Sequence, residues 1–200
     1  MNHRMLRPVA VAFGLGLLLA GCGAVNPPAG RLPEMTFRNL PPIQLNVGRI
    51  EVVSQYTPPG AAPHIEFDMP VAPENAIKRW VQDRLQPVGR SGTLRVVIRD
   101  AEATEVALKT DQGFTGMFKK EQAARVEMKV DVALQILDER QFPVAEVSNR
   151  AFITRTTPEG LKLNEHDKIL YDMVEALMRD YNDGIDPSIH QTLAPWIELK

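Results

Sequence analysis

The side chains that could do chemistry are few and widely spaced. They are one cysteine, Cys22, the three histidines that follow it, His64, His166 and His190, and the carboxylates Asp100, Glu102 and Glu105. A zinc site needs four ligands that converge, with His or Cys repeated at short helical or loop spacing. No such spacing occurs. Asn164-Glu165-His166-Asp167 gathers polar ligands in a row. On a helix, though, consecutive side chains diverge by about 100° and cannot meet on one ion. His166 also falls next to the apolar pair Ile169 and Leu170, which makes it a histidine at the edge of a core. His190 follows Asp186 by four residues and suits a local hydrogen bond. His64 sits in a proline-rich loop. No metal or other cofactor is expected.

Nucleophilic and phosphate-binding signatures are missing too. There is no Gly-x-Ser-x-Gly elbow. Gly113-Phe114-Thr115-Gly116-Met117-Phe118-Lys119-Lys120 carries glycines and lysines, but without P-loop spacing, a following Ser or Thr, or a following helix. Two Phe, one Met and two Lys nevertheless make that loop amphipathic. Phe114, Met117, Phe118, Lys119 and Lys120 could touch a partner protein or lipid head groups. Alternatively, Phe114 and Phe118 fold back over the sheet edge. A hydrolase using Asp100, Glu102 or Glu105 would rest only on their weakly patterned stretch, so the chain reads as a non-enzyme.

The elements that must position these residues follow from periodicity. Ile43, Leu45 and Val47, then Ile50, Val52 and Val53, suggest a first strand bent at Gly48. A proline-rich loop covers residues 57–73. Ile77, Trp80, Val81, Leu85 and Val88 form one helical face behind Pro73, ended by Gly89 and Gly92. Leu94, Val96 and Ile98 open a second strand that runs to about Leu108. Val126, Met128, Val130, Val132, Leu134 and Ile136 alternate without a break, so one face is buried and the other wet. Asp138–Gln141 turns the chain into a fourth strand, Val144–Thr156. A long helix should start at Asn164 as N-cap and stop at Gly184. A short helix should restart at Asp186-Pro187. The expected fold is α+β: a two-layer β-α-β-β-β-α-α domain over residues 43–200, with a mostly antiparallel four-stranded sheet and helices on one face. The first two strands should be parallel across a right-handed crossover.

Composition narrows the function classes. The chain has 200 residues, 23 basic and 25 acidic, for a net charge of −2. No whole-chain positive field exists to attract nucleic acid. A single cysteine forms no internal disulfide. At the N-terminus, Arg4 and Arg7 precede the apolar run Val9–Ala20. Twelve helical residues span about 18 Å, short of the roughly 30 Å bilayer core. That is the shape of a secretory signal over residues 1–21.

The run ends in Leu19-Ala20-Gly21-Cys22. This tetrapeptide resembles the lipobox of bacterial lipoproteins; the other reading is an ordinary signal peptide with a chance cysteine. The resemblance implies that Cys22 is lipidated and becomes the mature N-terminus, anchoring the chain to a membrane. It also implies that Gly23, in place of Asp, leaves the outer membrane of a Gram-negative cell as the destination. Removal of residues 1–21 takes Arg4 and Arg7 with it. The mature chain then has 21 basic and 25 acidic residues, a net −4. Residues 23–42 hold five prolines and read as a tether, about 60 Å long in polyproline geometry and about 25 Å as a coil.

The lipobox, the tether and the strand–helix order together are similar in layout to two families of envelope lipoproteins. These are the ABC-type transport auxiliary lipoproteins and the lipopolysaccharide-assembly lipoproteins. The resemblance implies a periplasm-facing, non-catalytic binding or scaffold subunit that docks an envelope protein partner. A second possibility is a lipid or glycan carrier, with ligand held between the sheet and the long helix near Met173 and Met178.

The lipobox makes a direct prediction. Cells fed labelled fatty acid should incorporate label into the parent chain and not into Cys22→Ser, which should also remain unprocessed on a gel. Equal labelling and processing of the two chains would remove the anchor.

Overall fold

The computed structural model describes residues 32–109 and 122–198. Cys22 and the loop residues Phe114, Met117, Phe118, Lys119 and Lys120 lie outside the described residues. Among the described residues, no helix is long and apolar enough to cross a membrane.

The fold is α+β. Its elements are β1 (Ile43–Leu45), β2 (Arg49–Ser54), α1 (Pro73–Arg84), β3 (Leu85–Pro87), β4 (Thr93–Asp100), β5 (Ala103–Ala107), β6 (Gln122–Leu137), β7 (Pro143–Pro158) and α2 (Leu163–Thr192). A 3-10 turn, Ala194–Trp196, follows α2. The main sheet is built around β6. β7 pairs antiparallel with it along its whole length, with Leu134 opposite Val147 and Met128 opposite Ile153. β4 and β5 therefore share the other edge of β6, both antiparallel. β2 adds parallel to β4, with Val52 opposite Val96. The parallel pair and the following meander match the sequence pattern.

The alternation in β6 translates directly into layers. Val126, Met128, Val130, Val132, Leu134 and Ile136 are all buried on the inner face, against Leu94, Val96 and Ile98 of β4 and against the helices. Trp80 of α1 meets Tyr181 of α2 edge-to-face, with ring centroids 5.3 Å apart and planes at 81°. The Trp80 indole N–H donates to Asn182 Oδ1 at 3.0 Å inside the core. Met173 and Met178 pack in the same core, 1% and 0% exposed.

The structure departs from the local sequence signals in four places. First, the expected bent strand 43–53 is two strands in different sheets. β1 pairs parallel with β3, Ile43 opposite Leu85, while β2 joins the main sheet. The chain switches sheets beside Gly89, where an added Cβ would lie 2.6 Å from the Asn46 backbone, so only glycine fits. Second, α1 ends at Arg84 and not near Val88. Pro87 removes a helical donor and pushes Gln86 into an extended conformation. Leu85 stays buried as the first residue of β3, so its apolar character served a strand.

Third, the expected strand 93–108 is interrupted. The register shifts between Ile98 and Asp100 at the end of β4, and Ala101-Glu102 then separate β4 from β5. Asp100 then stands opposite Asp131, and the weakly patterned stretch is this irregularity. Fourth, Gly184 and Asp186-Pro187 do not divide two helices, because α2 runs unbroken through them for 30 residues. Its N-cap is Lys162 rather than Asn164, and Glu165 accepts from the Lys162 backbone N–H at 3.0 Å. Proline inside a helix costs about 3 kcal/mol and glycine about 1. Tyr181, Ile185 and Ile189 are fully buried around them. Each such side chain contributes about 1.5–3 kcal/mol, which outweighs both penalties. Gly184 also leaves room for Asn149 of β7, whose Nδ2 donates to the Tyr181 carbonyl at 3.0 Å.

Residues 32–42 are packed despite their prolines. Met35 is buried, and Leu32 and Phe37 lie against the core. Asp83 of α1 accepts from Thr36 Oγ1 and from the Phe37 backbone N–H, both at 2.9 Å, and from Arg38 Nε at 3.2 Å. Burial opposes ionisation of Asp83 most, but these three donors outweigh it and hold the carboxyl below its usual range. Arg84, 2% exposed, reaches the Pro41 carbonyl and the Asp186 carboxylate of α2.

The Trp80–Asn182 bond ties the two helices together where no water can replace it. Asn182→Ala should lower stability by about 1–3 kcal/mol, because the indole N–H is left buried and unpaired. Urea unfolding should show a lower midpoint with an unchanged slope.

Candidate functional site

The outer face of the main sheet carries the densest set of polar groups, and the backbone dictates their order. In β6 the residues between the buried ones, Glu127, Lys129, Asp131 and Gln135, face outwards. β7 places Glu146, Ser148, Arg150 and Phe152 opposite Gln135, Ala133, Asp131 and Lys129. The register shift after Ile98 brings Arg99 and Asp100 to the same surface.

These groups are paired end to end. Lys129 Nζ bonds Glu102, and Asp100 Oδ2 at 3.1 Å. Asp131 Oδ2 receives Arg150 Nε at 2.5 Å. Arg99 Nη2 reaches Glu146 at 2.6 Å, and Gln135 Nε2 donates to the other oxygen of Glu146 at 2.8 Å. Asp100, Lys129, Asp131, Arg150 and Phe152 line a cleft of about 410 Å³. Asp100 Oδ1 and Asp131 Oδ1 are buried without a hydrogen-bond donor.

The row continues past Glu102 to His64, whose Nδ1 is 3.7 Å from Glu102 and 3.4 Å from Glu66. Glu66 is 5% exposed and anchors the loop that precedes α1. Its Oε1 accepts from Tyr56 Oη at 2.5 Å and from the Ala103 backbone N–H at 3.0 Å. The same loop lies along β5. Ile65 N–H donates to Ala103 O at 3.0 Å, and Glu105 N–H donates to Pro63 O at 2.8 Å.

The electrostatics of this row fix charge and do not prime it for transfer. Burial works against the charged form of Glu66 most strongly. The Ala103, Tyr56 and His64 bonds reverse that and hold its carboxyl below the usual range. Burial raises the Tyr56 phenol, and its bond to Glu66 raises it further. The bonds to Glu102 and Asp100 push Lys129 upward. The Gln135 bond, helped by Arg99, lowers Glu146. A general base or nucleophile needs the opposite tuning, towards neutral pH. Glu66, Tyr56, Lys129 and Glu146 are each displaced away from neutral pH instead.

The candidate residues separate accordingly. Asp100 and Glu102 come together on Lys129, while Glu105 is elsewhere, 3.0 Å from His166 Nε2. That pair fastens the first turn of α2 to β5. His190 Nε2 lies 3.8 Å from Asp186, whose carboxylate is taken by Arg84. Among the described residues no cluster of three or more potential ligands could hold a metal. Sequence reasoning missed Tyr56, Glu66, Lys129 and Arg150. The alternation of β6 marked Lys129 as outward-facing, but nothing local tied it to Asp100. A second cleft, about 350 Å³, separates Met35–Leu40 from Glu175, Arg179 and Asp183 of α2.

No protein-family model matches this chain, and no curated protein matches it. Solved structures to which it is similar include the rare lipoprotein B from Shewanella oneidensis, at 8% identity and a TM-score of 0.33. That match covers 70% of this chain and 92% of the other. A minor lipoprotein from Acinetobacter baumannii is similar at 14% identity and a TM-score of 0.32, covering 78% of this chain and 99% of the other. Likeness at these TM-scores transfers neither fold nor function.

The Glu66 cluster has a definite pH signature. Its folded pKa is lowered, so the stability it contributes is present above the unfolded value of about 4.3 and disappears as pH falls through the folded one. Glu66→Gln should be about 1–3 kcal/mol less stable than the parent at pH 7. The gap should narrow below about pH 4. Urea midpoints of both proteins at pH 7 and pH 3 measure it. A pH-independent gap would show that the ionised carboxylate is not what the cluster requires.

Proposed function

We propose that this chain is a lipoprotein anchored through Cys22, facing the periplasm from the outer membrane of a Gram-negative cell. It serves there as a non-catalytic binding or scaffold subunit of an envelope transport or assembly complex. The observation that carries the reading is Leu19-Ala20-Gly21-Cys22 at the end of a short apolar run. A single acyl chain holds a protein only marginally, and two or more hold it stably. A lipidated Cys22 therefore supplies the membrane attachment that twelve apolar residues cannot. Gly23 supports the outer membrane as the destination.

The non-enzymatic role is supported by the paired outer face. Asp100 and Glu102 share Lys129, and Glu105 is bonded to His166, so these carboxylates serve as counter-ions. A carrier role would require ligand to displace Met173 and Met178 from a closed core, which favours the scaffold reading. The partner surface includes the charged sheet face and the amphipathic residues Phe114, Met117, Phe118, Lys119 and Lys120.

Crosslinking in intact cells, followed by identification of the captured proteins, tests this reading. The parent chain should yield a component of an envelope transport or assembly complex, and Cys22→Ser should lose that product. Recovery of the same product by the unanchored variant, or of no envelope component by the parent, would overturn it.

A further inference from the structure

The main sheet has lateral edges that are treated differently. β5 is shielded, because loop residues Pro63 and Ile65 bond to its backbone and His64 bridges to Thr104. β7 is sixteen residues long and pairs with β6 on one side only. Among the described residues, no strand or loop bonds its other side. Every outward-facing residue from Val144 to Thr156 is exposed. Val144 and Phe152 are 51% and 57% exposed. No proline, glycine or lysine interrupts residues 144–157. A long regular edge of this kind is a template for another strand; natural proteins blunt such edges with proline, bulges or charges, and the charges on this one, Glu146, Arg150 and Arg155, are of both signs.

The side chains of β7 specify which strand. Ser148 is the centre of a self-complementary pattern: Glu146 and Arg150 lie two residues to either side, Val144 and Phe152 four. In an antiparallel pair, opposite residues share a face. Setting Ser148 against itself places Glu146 opposite Arg150 of a second copy twice, and Val144 opposite Phe152 twice. On the inner face it places Ala145 opposite Ala151. Opposite charges and apolar pairs are both favourable cross-strand neighbours. Sliding by one or two pairing steps spoils the match. Centring on Asn149 sets Glu146 against Phe152, and centring on Arg150 sets Arg150 against itself.

The existing bonds extend across such a junction. Arg150 is held by Asp131, and Glu146 by Arg99 and Gln135. Joining Glu146 to Arg150 of a second copy would merge two rows of ion pairs into one. We propose that β7 is a self-association edge, pairing antiparallel with β7 of a second copy with Ser148 opposite Ser148. The sheet then continues through a twofold axis. This proposal does not depend on lipidation.

Cysteine crosslinking of the full-length chain in detergent tests both the contact and its register, with the parent, carrying only Cys22, as baseline. In the stated register the two Ser148 Cα atoms are about 4.5–5.5 Å apart, within disulfide range. Two copies of Val144 would be roughly 27 Å apart. Under oxidant, Ser148→Cys should form a disulfide-linked dimer. Val144→Cys alone and Phe152→Cys alone should stay at baseline, whereas the two variants mixed should crosslink to each other. Arg150→Glu added to Ser148→Cys should lower dimer yield about five- to tenfold, since like charges then face each other. Circular dichroism of each variant confirms that the fold is kept. The proposal fails if Ser148→Cys dimerises no more than Val144→Cys. It also fails if the Ser148→Cys chain is recovered crosslinked to a different protein, or if Arg150→Glu leaves the yield unchanged.

Discussion

Strand β6 imposes the constraint that the rest of the molecule obeys. Six apolar residues at every second position must leave water together, and only a continuous apolar surface can receive them. α2 supplies it with Leu170, Met173, Val174, Leu177, Met178 and Tyr181. α1 adds Ile77, Trp80 and Val81. β4 and β7 then flank β6 because its backbone groups, once buried, need partners on both sides. The length of α2 and its tolerance of Pro187 follow from covering that stripe together with the inner face of β7, and Asn182 is buried where it accepts from the Trp80 indole.

The opposite face has the reverse character. It cannot be apolar without exposing a large greasy surface. The solution is a row of alternating ions. Surface ion pairs contribute little singly. The cooperative part is geometric: Lys129 between Asp100 and Glu102, and Arg150 over Asp131, hold side chains in fixed places. A surface built this way has a fixed shape and a fixed pattern of charge.

How much could be read in advance depends on the range of each interaction. The alternation in β6 and the apolar stripe of α2 were plain, because neighbours in sequence define them. The parallel entry of β2 beside β4 followed from strand–helix–strand order. The end of α1 was misjudged because Leu85 is buried in either conformation, although Pro87 stood close by. Gly184 and Pro187 looked like breaks because what compensates them is tertiary: the burial of Tyr181, Ile185 and Ile189, and at Gly184 the close approach of Asn149 from β7, an element remote in sequence. The ion pair of Arg84 and Asp186 joins residues 102 positions apart, and no local pattern announces it. The candidate site was legible only in part: its carboxylates were visible, while the cations that neutralise them were not.

The attachment of residues 34–41 to α1 has a mechanical consequence. Asp83 grips three consecutive residues there, and Arg84 grips Pro41. Tension applied to the chain ahead of Leu32 would meet this clamp before it reached β1.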